Sequence, residues 1–219
     1  MTQPHAHILI VDDERNIRKN LQMLLEAEDY TVDVASDGEE ALAKCREQYY
    51  EVALVDLQMP KMGGLALLRQ LHGLSAKTAV VILTAYGSVA RAVEAMKLGA
   101  VDFLEKPFDP KAIKLLIEEI LLRQRLGPNG SVEDLLHLAG LARDRNAYVE
   151  ARAYLKTALL RDPARPEPYY WLGYLSEREG DLRQAAHYYF MALDANHTFQ
   201  LAHKALMRLG RIGPKTTEV

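Results

Sequence analysis

The strongest constraint on the fold is an alternation that recurs five times in the first half of the chain. A short apolar run is followed each time by a segment whose apolar residues recur at helical spacing. Strands that alternate with helices in this way pair in parallel, because each helix carries the chain back across the sheet. The sequence therefore predicts an α/β fold over residues 1–126, with a doubly wound five-stranded parallel sheet. The predicted strands are residues 7–11, 31–35, 52–55, 79–83 and 101–104.

Capping residues predict where several of the helices begin and end. Asp37 opens the second helix with acidic residues in its first turn, where the helix dipole favours negative charge. Ser88 is the predicted N-cap of a helix over residues 89–98. Gly99 is the predicted stop of the same helix, because glycine readily adopts the left-handed conformation that ends helices.

The third predicted strand delivers Asp56 to the carboxyl edge of the sheet. Pro60 and the Gly63-Gly64 pair then force a loop before the next helix. In open α/β sheets this edge is where ligands bind and chemistry occurs. Right-handed crossovers place the ends of all five strands on the same edge. Four further polar residues that follow strands should therefore converge on Asp56, namely Asp12, Asp13, Thr84 and Lys106.

This set of residues suits phosphoryl transfer. Three neighbouring carboxylates repel one another and raise one another's pKa unless a cation joins them. A hard divalent ion with oxygen ligands is the natural partner, and Mg²⁺ fits a site that also takes a phosphoryl group. Asp56 can then attack phosphorus and form an acyl phosphate. Lys106 can neutralise charge on the transferring group, and the hydroxyl of Thr84 can donate to one of its oxygens.

The second half of the chain has a different pattern, which begins after a turn-prone linker of residues 127–131. A shift of 34 residues makes this half match itself, so that Leu138 falls on Leu172 and then on Leu206. A period of this length is typical of repeats built from paired helices. The sequence predicts an all-α domain of two repeats plus a capping helix over residues 132–212, followed by a tail, residues 213–219.

Composition excludes several classes of protein. The apolar runs fall short of a membrane span, and the first residues lack the pattern of a secretory signal. A single cysteine, Cys45, fits a cytoplasmic location without intramolecular disulfides. Residues 1–126 hold 15 basic and 19 acidic residues, and residues 127–219 hold 12 and 11. Neither half has the basic excess of a typical DNA-binding domain, so no DNA or membrane partner is expected.

Four short motifs in the first half occur in the order and spacing of a known family: Asp12-Asp13, Asp56 with Met59-Pro60, Thr84-Ala85 and Lys106-Pro107. They resemble the motifs of the receiver domain of two-component response regulators, and the resemblance covers residues 6–125. It implies a flavodoxin-like fold and a phosphorelay in which Asp56 accepts a phosphoryl group from a histidine kinase or phosphotransfer protein. Residues 83–108 are most similar to receivers of the nitrogen-regulator group.

The resemblance also implies a metal site. Asp13, Asp56 and the backbone carbonyl of Gln58 would bind Mg²⁺, and Asp12 would act directly or through water. The family further suggests a cis peptide bond before Pro107, and proline lowers the free-energy cost of the cis form.

A switch pair follows from the same resemblance. Thr84 would move onto the phosphate, and the ring of Phe103 would then turn inward. Phe103 lacks the hydroxyl of the tyrosine that often occupies this position. Its ring would therefore signal phosphorylation through packing and not through a hydrogen bond. Lys106 would contact the phosphate, and Tyr86 would influence its lifetime by shielding the site.

The helical half carries a second resemblance, through Trp171-Leu172-Gly173-Tyr174, Gly180-Asp181 and Ala185. These residues are similar to the tetratricopeptide repeat. In that family the first helix of each repeat lines a groove that binds a protein or peptide. The matching positions here are Leu136, Gly140, Arg143, Tyr170, Tyr174, Glu177, Lys204 and Arg208.

Together these patterns predict a response regulator, not an enzyme, whose phosphorylation controls protein–protein interaction through the repeats. A constitutive scaffold with an unused receiver domain stays open as the alternative, and so does self-association as a homodimer. An aspartate-nucleophile phosphatase is disfavoured, because that class usually has a second Asp two residues after the nucleophile, where this chain has Gln58.

Overall fold

The computed structural model of the protein describes residues 6–75, 77–85 and 89–211. Ser88, Tyr86 and the tail of residues 213–219, for which the sequence makes predictions, lie outside the described residues. The first half of the chain forms the five predicted strands in one sheet. The strands are β1 (His7–Val11), β2 (Thr31–Ala35), β3 (Val52–Asp56), β4 (Ala79–Ala85) and β5 (Asp102–Lys106).

The sheet is parallel throughout, with strand order β2-β1-β3-β4-β5. This confirms the predicted α/β architecture and places all the strand ends on one edge. The strand order reverses between β1 and β3, which is the point where open sheets of this kind form a crevice. Strands β4 and β5 run further than predicted, because Ala85 still pairs with Lys106.

Helices cover both faces of the sheet. Alternate strand residues point to opposite faces, so Leu9 belongs to one apolar core and Ile8 to the other. Gly99 follows the fourth helix with φ of 95°, as its role as a helix stop requires. The helices are α1 (Arg15–Glu26), α2 (Gly38–Glu47), α3 (Gly64–Leu74), α4 (Val89–Lys97) and α5 (Pro110–Leu126).

The second half of the chain is helical and repeats with the predicted period. Residues that the 34-residue shift aligns, such as Leu138 and Leu172, are buried. The turns repeat as well, since Asn146 and Gly180 both adopt positive φ. The helices are α6 (Val132–Asp144), α7 (Tyr148–Arg161), α8 (Pro166–Arg178), α9 (Leu182–Ala195) and α10 (Gln200–Arg211).

The chain divides into two compact units, Met1–Leu121 and Leu122–Val219, and the division falls within α5. In the predicted linker, Gly127–Asn129 forms a single 3₁₀ turn and Ser131 caps α6 through a capping box with Asp134. The predicted domain boundaries themselves stay a prediction. No helix in the described part of the chain combines the length and the hydropathy needed to cross a bilayer.

Candidate functional site

Three carboxylates meet at the carboxyl edge of the sheet, as predicted. Asp12 and Asp13 follow β1, and Asp56 is the last residue of the neighbouring strand β3. One carboxylate oxygen from each lies within 4.8 Å of the others. Asp12 and Asp56 are buried, whereas Asp13 is exposed.

Lys106 brings a positive charge into this cluster from the end of β5. Its Nζ lies 2.7 Å from Oδ2 of Asp12 and 3.4 Å from Oδ1 of Asp56. Glu14, which the sequence reasoning did not single out, is 3.6 Å from the same ammonium group. The peptide bond between Lys106 and Pro107 is cis, which confirms the expectation from the resemblance.

The electrostatics of the site follow from burial and crowding. Burial raises the pKa of Asp56 to about 6, and the charges of Asp12 and Asp13 add to this rise while Lys106 opposes it. Burial alone would lower the pKa of Lys106, but its contacts with Asp12 and Asp56 outweigh burial and raise it. The cluster therefore holds its ammonium group charged and leaves Asp56 in need of a further cation.

The loop after β1 is held by contacts that the sequence motifs did not predict. The backbone N–H of Glu14 donates to Oδ1 of Asp12 at 2.9 Å. Arg18, one turn into α1, donates from Nη1 to the backbone carbonyls of Asp12 and Asp13, at 2.5 and 2.8 Å. Its position one turn after the acidic pair is the only signal in the sequence. Arg18 thus fixes the backbone that carries two of the three carboxylates.

The loop after β3 is equally constrained. A Cβ atom on Gly64 would lie 2.3 Å from the carbonyl oxygen of Asp56, so only glycine permits α3 to begin this close to the strand end. Lys61 has φ of 60° and its ammonium lies 2.6 Å from Oδ2 of Asp37, the N-cap of α2. The loop that contains Gln58 is therefore held against the end of β3 by Gly64 and tied to the start of α2 by Lys61. The metal-ligand role of the Gln58 carbonyl stays a prediction.

Thr84 and Phe103 occupy the neighbouring strands. Thr84 is buried on β4, one residue beyond Leu83, which pairs with Asp56. Phe103 on β5 is 40% exposed and pairs in register with Ile82. This places a hydroxyl-bearing residue beside the carboxylates and an aromatic ring at the surface, and the switch function of the pair stays a prediction.

The residue types at the site fit the predicted metal. All three candidate ligands are carboxylates, and hard oxygen donors are what Mg²⁺ binds. Two of them, Asp12 and Asp56, are buried, and the ammonium group of Lys106 contacts both. A divalent ion would relieve the repulsion among them.

The predicted groove residues of the helical half fall into two groups. Arg143 places its guanidinium 4.0 Å from the centre of the Trp171 ring, and Arg208 forms a 2.7 Å ion pair with Glu177. These contacts join α6 to α8 and α8 to α10, around Tyr170 and Tyr174. Leu136 and Tyr174 form the second group, because both pack partly buried against the apolar core of the helical half. The groove role of all these residues stays a prediction.

Comparison with protein families decides the identity of the first half. A family model described as the response regulator receiver domain matches residues 8–118. The chain belongs to this family. A receiver domain implies a cognate histidine kinase, and it is not an enzyme in the usual sense.

Curated relatives of the receiver match only parts of both chains. The transcriptional regulatory protein ResD of Bacillus subtilis strain 168 is 37% identical over 145 residues, which cover 64% of this chain and 60% of ResD. The transcriptional regulatory protein ZraR of Escherichia coli K12 is 40% identical over 121 residues, which cover 55% of this chain and 27% of ZraR. The chain therefore spans less than two thirds of the length of these relatives.

Solved receivers show the same fold. A receiver domain protein from Clostridium thermocellum is 35% identical with a TM-score of 0.53, and the match covers 55% of this chain and 98% of that one. NtrX from Brucella abortus is 32% identical with a TM-score of 0.54, and the match covers 56% of this chain and 28% of NtrX.

Proposed function

We propose that this chain is a response regulator that accepts a phosphoryl group on Asp56 and signals through its helical half. The observation that supports this most directly is the convergence of Asp12, Asp13, Asp56 and Lys106 on one sheet edge. A carboxylate nucleophile toward phosphorus needs surrounding positive charge and a position for a divalent ion. The receiver of this chain has the residues for both.

In the proposed reaction a carboxylate oxygen of Asp56 forms a bond to phosphorus while the bond from phosphorus to the donor's imidazole nitrogen breaks. The imidazole keeps the electron pair, and a proton from solvent restores the neutral histidine. Mg²⁺ held by Asp12, Asp13, Asp56 and the carbonyl of Gln58 would supply charge neutralisation at the phosphoryl oxygens. Lys106 adds a second positive charge, since its Nζ already lies 3.4 Å from Asp56.

Thr84 and Phe103 are the residues proposed to report phosphorylation. The Thr84 hydroxyl would donate to a phosphoryl oxygen. The ring of Phe103, which is 40% exposed, would then move inward and remove an apolar patch from the surface. Because phenylalanine has no hydroxyl, this readout would act through packing.

The helical half is proposed as the output domain. Its helix bounds recur every 34 residues, from Val132 to Pro166 to Gln200, which supports assignment to tetratricopeptide repeats. We propose a receiver domain of residues 1–126, a linker of residues 127–131 and a repeat domain of residues 132–212. Repeats of this kind bind proteins and have no chemistry of their own.

The partner is proposed to be a protein and not DNA. ResD and ZraR are named as transcriptional regulators, but the matched segments leave much of both proteins uncovered. The second half of this chain carries 12 basic and 11 acidic residues, which offers no basic surface for phosphates. Tight duplex binding that weakens steeply with salt would contradict this part of the proposal.

The phosphoacceptor role can be tested by labelling the full chain with radioactive acetyl phosphate and Mg²⁺. We expect one label per chain, which is lost in Asp56→Ala and in the presence of a chelator. Asp194→Asn, which removes an exposed carboxylate on α9, is the matched control and should label normally. An unlabelled wild-type protein in Mg²⁺ would contradict the proposal.

The coupling to output needs a second measurement. Partner binding should differ between the free chain and the chain treated with beryllofluoride, which mimics a phosphoryl group on Asp56. Identical binding in both states would favour the constitutive scaffold.

A further inference from the structure

One surface of the helical half gathers aromatic and cationic side chains from three helices. We call it the tyrosine–arginine face. Two pairs of its residues are spaced four apart on α8 and on α10, so each pair lies on one side of its helix. Its members are Arg143 on α6, Tyr170 and Tyr174 on α8, and Lys204 and Arg208 on α10.

Contacts between the helices hold these side chains in place. The Arg143 guanidinium covers Trp171 at 4.0 Å, and the Trp171 ring meets that of Tyr174 edge-on at 5.5 Å. The ring of Tyr170 packs edge-on against Phe199 at 5.9 Å. A partner that binds here would therefore find side chains already ordered, which lowers the entropy lost on binding.

The hydroxyls of Tyr170 and Tyr174 differ from those of two other tyrosines in the helical half. Tyr189 donates its hydroxyl to Glu177 at 2.8 Å, and the hydroxyl of Tyr148 accepts from Arg178. Within the part of the chain that the structure describes, the hydroxyls of Tyr170 and Tyr174 take part in no hydrogen bond. A tyrosine hydroxyl is protonated at neutral pH, and burial raises the pKa of Tyr170 further.

Positive charge lies near the hydroxyl of Tyr170, together with the carboxylate of Glu177, which adds to the rise in the pKa of Tyr170. Arg143 and Arg208 both lie near enough to oppose the rise in the pKa of Tyr170. Each guanidinium already contacts one carboxylate, Asp144 or Glu177, but a guanidinium has five N–H donors and retains some for another acceptor. Lys204 is exposed one turn before Arg208. The face thus offers donors of both kinds, phenolic and cationic.

We propose that the tyrosine–arginine face binds an acidic peptide segment of a partner protein, whose carboxylates receive hydrogen bonds from all five members of the face. This inference rests on the proposed output role of the helical half and names the chemistry of its partner. A polynucleotide is disfavoured, because Asp144 and Glu177 already pair with Arg143 and Arg208 and would repel a continuous row of phosphates.

The test begins with random twelve-residue peptides displayed on phage and selected on the full chain. We expect the enriched peptides to be rich in Asp and Glu. The strongest of them, synthesised with a fluorescent label, should lose roughly three- to tenfold in affinity with each of Tyr170→Phe, Tyr174→Phe, Lys204→Gln and Arg208→Gln. Affinity should also fall as salt rises.

Matched controls separate a direct contact from a general loss of charge or fold. Lys156→Gln and Arg183→Gln remove exposed cations on α7 and α9, and neither should change the affinity. The tyrosine variants remove only one oxygen each and should keep the wild-type melting temperature. Enrichment of basic or apolar peptides, or an affinity that the four variants leave unchanged, would overturn the inference.

The same peptide also distinguishes the inference from the proposed function. Its affinity is measured with and without beryllofluoride. Acid-rich peptides that bind equally in both states would support the binding chemistry and contradict only the control of output by phosphorylation.

Discussion

The ammonium group of Lys106 lies 2.7 Å from Oδ2 of Asp12, a carboxylate with no exposed surface, although 94 residues separate the two in sequence. This ion pair connects the end of β5 to the acidic cluster at the sheet edge. A buried carboxylate that loses its cation keeps the cost of its own desolvation, so this contact links the stability of the receiver to the chemistry of its site.

Replacement of Lys106 by Met should therefore destabilise the metal-free protein by roughly 3 kcal/mol. A divalent ion can neutralise Asp12 in place of the ammonium group, so saturating Mg²⁺ should recover part of the loss. Chemical denaturation with a chelator and with Mg²⁺ measures both values. Lys97→Met, at an exposed position in the last turn of α4, should change stability by less than about 0.5 kcal/mol. Equal destabilisation of Lys106→Met in both conditions would contradict the account.

The raised pKa of Asp56 predicts a pH-dependent effect of Asp56→Asn. The pKa of Asp56 is about 6 in the folded protein and about 4 in the unfolded chain. Between these values the folded state binds the extra proton, so the stability of the wild type falls as pH rises from about 4 to 6 and then stays level. Asparagine carries no charge and avoids this loss.

Metal-free Asp56→Asn should consequently be more stable than the wild type at pH 7.5, by on the order of 2 kcal/mol. The gain should vanish below about pH 4, where both side chains are neutral. Urea denaturation in the presence of a chelator across this pH range measures the difference. A variant that is less stable than the wild type at pH 7.5 would show that Asp56 is not strained by its burial.

Gly64 is expected to tolerate no side chain. The added methyl of Gly64→Ala would meet the carbonyl oxygen of Asp56 at 2.3 Å, and relief of this overlap should lower stability by roughly 2–3 kcal/mol. Gly73 lies on the same helix with open space around it. Gly73→Ala should therefore be neutral or stabilising by up to about 1 kcal/mol. Thermal unfolding of the two variants provides the comparison, and similar effects would contradict the packing argument.

Arg18 is expected to act as a positioning residue for the metal site. It donates hydrogen bonds to the backbone carbonyls of Asp12 and Asp13, so Arg18→Met should leave the fold intact but loosen two carboxylates. We expect Mg²⁺ affinity, measured by calorimetry, to fall about threefold to tenfold. Lys19→Met, at the exposed next position of α1, should bind Mg²⁺ normally. An unchanged affinity in Arg18→Met would show that the loop holds its shape without the arginine.

Much of the fold was predictable because its signals are local or periodic. The five apolar runs became the five strands, Asp37 caps α2 through the N–H groups of Glu39 and Glu40, and the 34-residue period reappears in the helix bounds. The convergence of Asp12, Asp56 and Lys106 also followed, since parallel strands must end on one edge. The ends of the strands were harder to predict from the sequence. Strand β5 continues through Glu105 and Lys106, because pairing with β4 outweighs their polarity.

The sequence by itself determined which elements form, the order in which they alternate and which polar residues reach the active edge, because hydrophobic periodicity and strand direction depend on neighbours in the chain. Only the tertiary structure decided that Arg18 holds the acidic loop, that Lys61 anchors its loop to Asp37, and that Tyr170 lies near two arginines. Contacts of this kind depend on side-chain reach and on packing between separate elements. No local pattern encodes them.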